Sequence, residues 1–192
     1  MVVPDHDGQY RERGGSVPSE PPSSAVRTSP FVYRRVPTLI ALVQRVLWAS
    51  VTIEGVETAR TGPGTLALVG VERDDVEEDA DRLATRLLGF RMFADAAGRM
   101  NLDLVAAGGS LLLVPQFTLA ADTRRGRRPG FSTAAEPERA EALFEHFRAR
   151  LAETVPETRA GTFGAHMQIA SVNDGPVTFQ LRSATRGVSD RA

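Results

Sequence analysis

From Leu39 the chain reads LIALVQRVLWASVTI, an aliphatic and β-branched run interrupted by Gln44 and Arg45, which predicts a strand with one polar stretch facing a site. Turn formers follow at 54–55 and 62–64, and TLALVGV then reads as a buried strand. Val76, Ala80, Leu83, Ala84 and Leu87 recur at helical spacing, with Asp74 or Asp75 placed to cap the helix and Gly89 to end it. FRMF predicts a further strand running into a turn at 95–98, and Gly108 and Gly109 precede the strand SLLLV. Pro115 stops that strand, because proline donates no backbone hydrogen bond, so the residues after it should leave the sheet and be accessible. Pro137 suits the first turn of a second helix, whose apolar stripe is Ala140, Leu143, Phe144, Phe147 and Leu151. HMQIASV and PVTFQL read as two strands joined by the turn formers Asn173, Asp174 and Gly175. Strands and helices mix without strict alternation, so the expected class is α+β: a largely antiparallel or mixed sheet covered by two helices.

Composition narrows the picture. Residues 1–36 carry Pro18, Pro21, Pro22 and Pro30 and almost no periodic apolar positions, which predicts a disordered N-terminal extension before a domain at 37–183 and a frayed polar tail at 184–192. Asp5, Asp7, Glu12 and Glu20 argue against a transit peptide. With 42% hydrophobic and 24% charged residues the chain can bury a core, and no apolar run approaches the roughly 20 residues needed to span a bilayer, so no membrane association is expected. The absence of cysteine excludes disulfides, thiol nucleophiles and thiolate metal sites. A net charge of −1 gives no global pull on nucleic acid, so any RNA contact must be local.

Two segments carry candidate chemistry. In PQFTLAAD, residues 115–122, a strand that breaks and turns exposes successive N–H groups able to hold an oxyanion, with Phe117 and Thr118 the natural donors; equally, Thr118 could simply bond its own backbone. In NDGPVTF, residues 173–179, Gly175 and Pro176 let backbone come close to a ligand, through a cis or a trans bond. In TRRGRRP, Arg124, Arg125, Arg127 and Arg128 form either a phosphate clamp or a solvated charge run. Arg45, within an apolar strand, needs a partner and is either a site residue or half of a structural ion pair. Met167 by default fills core. His6, His146 and His166 are scattered, so neither a metal nor another cofactor is expected.

Taken together, QFTLA after an aliphatic strand and NDGPVTF near the domain end, with QRV at 44–46, NL at 101–102, RPGF at 128–131 and FGAHMQ at 163–168, resemble the D-aminoacyl-tRNA deacylase family over residues 39–181. The resemblance implies a barrel-like sheet and a cytoplasmic hydrolase that cleaves the ester of D-aminoacyl-tRNA, with glycine mischarged on non-cognate tRNA as a further candidate substrate. It implies a homodimer in which Gly175 and Pro176, joined cis, enter the partner's active site. Gln116, Phe117 and Thr118 would form the catalytic segment, Met167 would lie nearby, Arg45 would steady the Gly-Pro loop, Phe163 would flank the terminal adenine and the arginine run would meet tRNA; DNA is not an expected partner. Chemistry in the family resembles RNA-assisted hydrolysis, in which the terminal ribose 2′-hydroxyl helps to activate water and no protein base is required. Two rivals remain: a non-catalytic tRNA-binding relative, and an esterase with Thr118 as nucleophile. Pro115 stands where many relatives have serine, which removes a hydroxyl and an N–H; Gly130 likewise replaces a serine, and His166 replaces a frequent acidic residue.

Overall fold

The computed structural model describes residues 38–124 and 126–183, so the expected extension at 1–36 and the tail at 184–192 lie outside the described residues. The organising element is a strand, β1 (Ile40–Ile53), with β2 (Val56–Thr61) and β3 (Gly64–Gly70) following it. The first half of β1 pairs antiparallel with β3 and its second half with β2, so one edge of a single long strand serves two neighbours. Helix α1 (Glu77–Leu88) and the small hairpin β4 (Phe93–Ala94) with β5 (Met100–Leu102) then intervene before β6 (Ser110–Pro115). This crossover lets β6 pair parallel with β3. Helix α2 (Pro137–Ala152) is a second crossover, returning the chain as β7 (Arg159–Ala160) parallel to β6. The last strand, β8 (Gln168–Arg182), runs antiparallel along the other edge of β1. Because β2 also lies against β6 and β7, the mixed sheet curls into a nearly closed barrel, as the resemblance implies.

Alternation explains why SLLLV is apolar without a break. Leu111 and Leu113 point to a core shared with both helices, while Leu112 and Val114 enter a second cluster with Val46, Ala49, Val51 and Leu66 inside the barrel. Helix α2 buries the stripe that its spacing predicts, Ala140, Leu143, Phe144, Phe147 and Leu151, and α1 buries Ala80, Leu83, Ala84 and Leu87, whereas Val76, expected on the same stripe, is the exposed N-cap residue. Each fully buried Leu or Phe of this kind contributes about 1.5–3 kcal/mol, so the layer under the helices holds the sheet's curvature.

Three expectations are corrected. The N-cap of α1 is Val76, not Asp74 or Asp75. Asp75 turns inward to accept the Glu72 N–H at 2.7 Å, and Asp79 accepts the Val76 N–H at 3.2 Å in its place. FRMF yields only the two-residue β4, because its partner β5 is three residues long and both stand apart from the main sheet. HMQIASV and PVTFQL are not a hairpin but parts of one strand, since β1 is long enough to pair with both. The turn formers between them do not reverse the chain; they swell out of it.

Candidate functional site

That swelling lies opposite one residue. Gln44 pairs with Thr178 and Val46 with Asn173, so residues 174–177 face Arg45 alone and loop away from the sheet. Asn173 closes the base of the loop: its Oδ1 accepts the Val177 N–H at 2.8 Å and its Nδ2 donates to Thr178 Oγ1 at 2.9 Å. Arg45 holds the wall. Its Nε donates to the Asp174 carbonyl at 3.1 Å and ion-pairs with the Asp174 carboxylate at 3.0 Å, while Nη1 donates to the Met92 carbonyl at 2.8 Å. The charge inside an apolar strand is thus matched, and the matching fastens the loop to the body. The Gly175–Pro176 peptide is cis, and both residues are exposed. Gly175 has φ 138°, and a Cβ there would meet Val177 Cγ2 at 2.6 Å and Arg45 Nη2 at 3.2 Å.

The second segment begins where proline predicts. Pro115 is the last residue of β6, and the chain turns into a single 3-10 turn, Phe117–Ala120. Gln116 is its N-cap: its N–H donates to the Val69 carbonyl at 2.7 Å and its carbonyl accepts from Leu119 at 3.1 Å. Phe117 and Thr118 then present the first two N–H groups of the turn, which have no acceptor among the described residues. Gly70 makes the fit possible, since a Cβ on it would meet Leu119 Cβ at 2.8 Å. The Thr118 hydroxyl accepts from Gln116 Nε2 at 2.5 Å. Its partner is therefore an amide, which cannot serve as a base.

A segment that the sequence did not single out as a support straps this turn in place. Asp122 and Gly130 exchange backbone hydrogen bonds at 2.7 and 3.0 Å, and the Thr133 hydroxyl donates to the Ala120 carbonyl at the end of the turn. The strap is anchored in turn: the Arg73 N–H donates to the Thr133 carbonyl at 2.9 Å, and the Ala135 N–H donates to the Val71 carbonyl at 3.1 Å. Only Asn173, an Asx-type former two residues before a glycine, carried a local signal for its supporting role. Thr133 meets a residue 13 positions away, and no spacing rule points to that.

Met167 packs against the barrel interior, and its Sδ lies 2.6 Å from where a Cβ on Gly161 would stand, beside Pro115. Its packing on the barrel cluster agrees with the core-filling reading. Phe163 is half-buried and packs against the larger core. Residues 165, 166 and 168 border, with the hairpin tip at 52–55, a cavity of about 410 Å³. Arg124 is committed to Asp122 at 2.6 Å; Arg127 and Arg128 are exposed, with no acidic partner among the described residues, and Arg125 lies outside the described residues. His146 bonds Asp81 across the helices, far in sequence from either segment, at 3.0 Å. Among the described residues no three carboxylate, imidazole or thiol groups gather as a metal ion would require. No described helix is long and apolar enough to cross a membrane.

The arrangement sets two unsatisfied N–H donors on a rigid turn and, elsewhere, a projecting main-chain loop braced by a guanidinium. Donors so placed can polarise an ester carbonyl.

Known proteins match this chain along the same residues. The family model described as D-Tyr-tRNA(Tyr) deacylase matches residues 42–182. A Citrobacter koseri protein named D-aminoacyl-tRNA deacylase is 58% identical over 144 residues, covering 75% of this chain and 99% of its own. Its namesake from Klebsiella pneumoniae is also 58% identical over 144 residues, with the same coverage of both chains. Among solved structures, one described as the c-Myc DNA Unwinding Element Binding Protein has a TM-score of 0.73 at 34% identity, covering 76% of this chain and 99% of its own. Another, described as a probable eukaryotic D-amino acid tRNA deacylase, has a TM-score of 0.67 at 16% identity and the same coverage, a likeness of fold.

Proposed function

The chain belongs to the D-aminoacyl-tRNA deacylase family, a family of hydrolases, and from that premise we propose how it removes D-amino acids from tRNA. The Phe117 and Thr118 N–H groups polarise the ester carbonyl, and the Gly175–Pro176 main chain, lent by a second copy of the protein, receives the substrate's amino group. Carbonyls held stiffly there leave no room where an L side chain would point, while a D side chain projects freely. Glycine, with no side chain, passes the same filter. The observation that carries this reading is the pairing of an exposed, braced Gly-Pro loop with two unsatisfied donors on a separate turn.

The loop's exposure in the single chain supports its use by a partner copy. So do the exposed apolar residues Leu47, Ile169, Val172 and Phe179 on β1 and β8, which supply a surface for a homodimer. Among the described residues the Thr118 hydroxyl has the Gln116 amide as its partner and no base, which supports water activated by the terminal ribose 2′-hydroxyl over a covalent threonine. Pro115 supplies neither a hydroxyl nor an N–H, so the following two amides do the polarising. Arg124, Arg127 and Arg128 meet phosphates near the acceptor end, and Phe163 and Met167 border the terminal adenosine. A substrate made and used in translation places the enzyme in the cytoplasm.

The test is stereochemical. Purified protein should release D-tyrosine or D-aspartate from tRNA and spare the L-forms; equal rates for both hands would remove the proposed filter. Binding of uncharged tRNA without hydrolysis would instead favour the non-catalytic reading.

A further inference from the structure

We propose that the rings of Phe117 and Phe131 form a stacking platform for an unpaired nucleobase of the RNA strand beside its terminal adenosine. This rests on the reading above that the substrate is an aminoacyl-tRNA. The two rings lie 5.1 Å apart at 44°, and they remain 58% and 41% exposed. Large apolar rings left this open beside a polar turn contribute little to the fold, so their faces are available to a ligand.

Their position follows from the strap. The Asp122–Gly130 pairing closes the loop between them and carries Phe131 back against the first residue of the catalytic turn. A residue whose N–H meets the ester carbonyl places its side chain beside the terminal nucleotide or its neighbour. The closed loop also carries Arg124, Arg127 and Arg128, and the latter two have no acidic partner among the described residues. Aromatic faces flanking a loop whose Arg127 and Arg128 have no acidic partner among the described residues match a flexible single strand, with bases for the rings and phosphates for the charges. A second copy of this chain would be served by the rings but not by the uncompensated positive charge.

The experiment compares Phe131→Ala, Phe131→Leu and Phe131→Tyr on D-tyrosyl-tRNA and on D-tyrosyl-adenosine, which keeps the ester and terminal nucleoside but lacks the rest of the strand. For Phe131→Ala the loss in kcat/KM on the tRNA should exceed the loss on the nucleoside ester about tenfold, mainly through KM, because one stacked base is removed. Tyrosine should restore it and leucine should not. Equal losses on both substrates, or rescue by leucine as complete as by tyrosine, would show that the ring only props the turn. A fall to monomer mass in sedimentation on Phe131→Ala would assign the surface to an interface between copies; both results overturn the platform. If the wild-type protein hydrolyses no D-ester, the deacylase reading fails on its own. The platform is then judged by binding: Phe131→Ala must weaken Kd for uncharged tRNA about tenfold, and an unchanged Kd overturns it.

Discussion

The two segments that meet the substrate in this reading are held in opposite ways. The turn at 116–120 is gripped from several directions by its own chain, through the Val69 carbonyl, the clearance at Gly70, the Thr133 hydroxyl and the Asp122–Gly130 pairing. The loop at 174–177 is fastened only at its base, by Asn173 and Arg45, and its tip has no cover among the described residues. A site that must place an N–H group against a developing charge needs rigidity supplied in advance. A wedge that must enter another surface needs a firm root and a bare edge. In the proposed reading one small sheet furnishes both, using backbone pairing for the first and a single guanidinium, that of Arg45, for the second.

Four changes break or sharpen that contrast. The largest effect is expected from Gly175→Ala. Its Cβ has no space beside Val177 and φ 138° suits only glycine, so activity on D-tyrosyl-tRNA should fall about a hundredfold, with a loss of about 1–3 kcal/mol of stability in thermal unfolding. Arg45→Ala attacks the root instead. Losing the bonds to Met92 and Asp174 should cost about 2 kcal/mol in denaturant unfolding, together with a loss of activity, because a charge-assisted pair and a half-buried acceptor are abandoned at once.

The third change reaches the strap through its anchor. Asp75 is fully buried, and burial pushes its carboxyl up to about 7, with Asp79 and Glu72 adding to the rise against the opposing Glu72 N–H bond. The folded state therefore keeps a proton that the unfolded chain releases near 4. It binds more protons than the unfolded chain between those values, and stability falls as pH rises from about 4 to 7. Asp75→Asn should flatten that fall, a difference on the order of 1–2 kcal/mol across the window in urea unfolding read at several pH values. A slope unchanged by the substitution would mean that Asp75 is not the titrating group. The smallest effect is expected from Thr133→Val, which keeps the shape and removes the hydroxyl bond to Ala120. Stability should drop about 1 kcal/mol and kcat should fall severalfold with KM little changed, whereas Thr133→Ser should restore both.

Much of the fold was legible in local pattern. The apolar periodicity of α1 and α2 marks the faces they bury, and Pro115 marks where β6 ends, because helix spacing and a missing N–H act within a few residues. The site was legible only through the resemblance of its two motifs to a family. Spacing alone left Thr118, Met167 and the arginine run with ordinary readings beside the functional ones. The hairpin expected around Asn173 was wrong for an instructive reason: turn formers state that the chain departs from a regular ladder, and not whether it reverses.

What the sequence determined by itself was the approximate place of most strands and of both helices, which faces are apolar, and that a Gly-Pro pair and a strand broken at Pro115 exist. Those are decided by side-chain period and backbone chemistry, both short-range. Only the tertiary structure decided that Arg45 reaches Met92 as well as Asp174, that Thr133 fastens the turn at 116–120 and that Phe131 meets Phe117. Each of these joins depends on how a long strand shares its edges and how a loop closes on itself, and strand register across the sheet is fixed by the packing of the whole barrel rather than by any one segment.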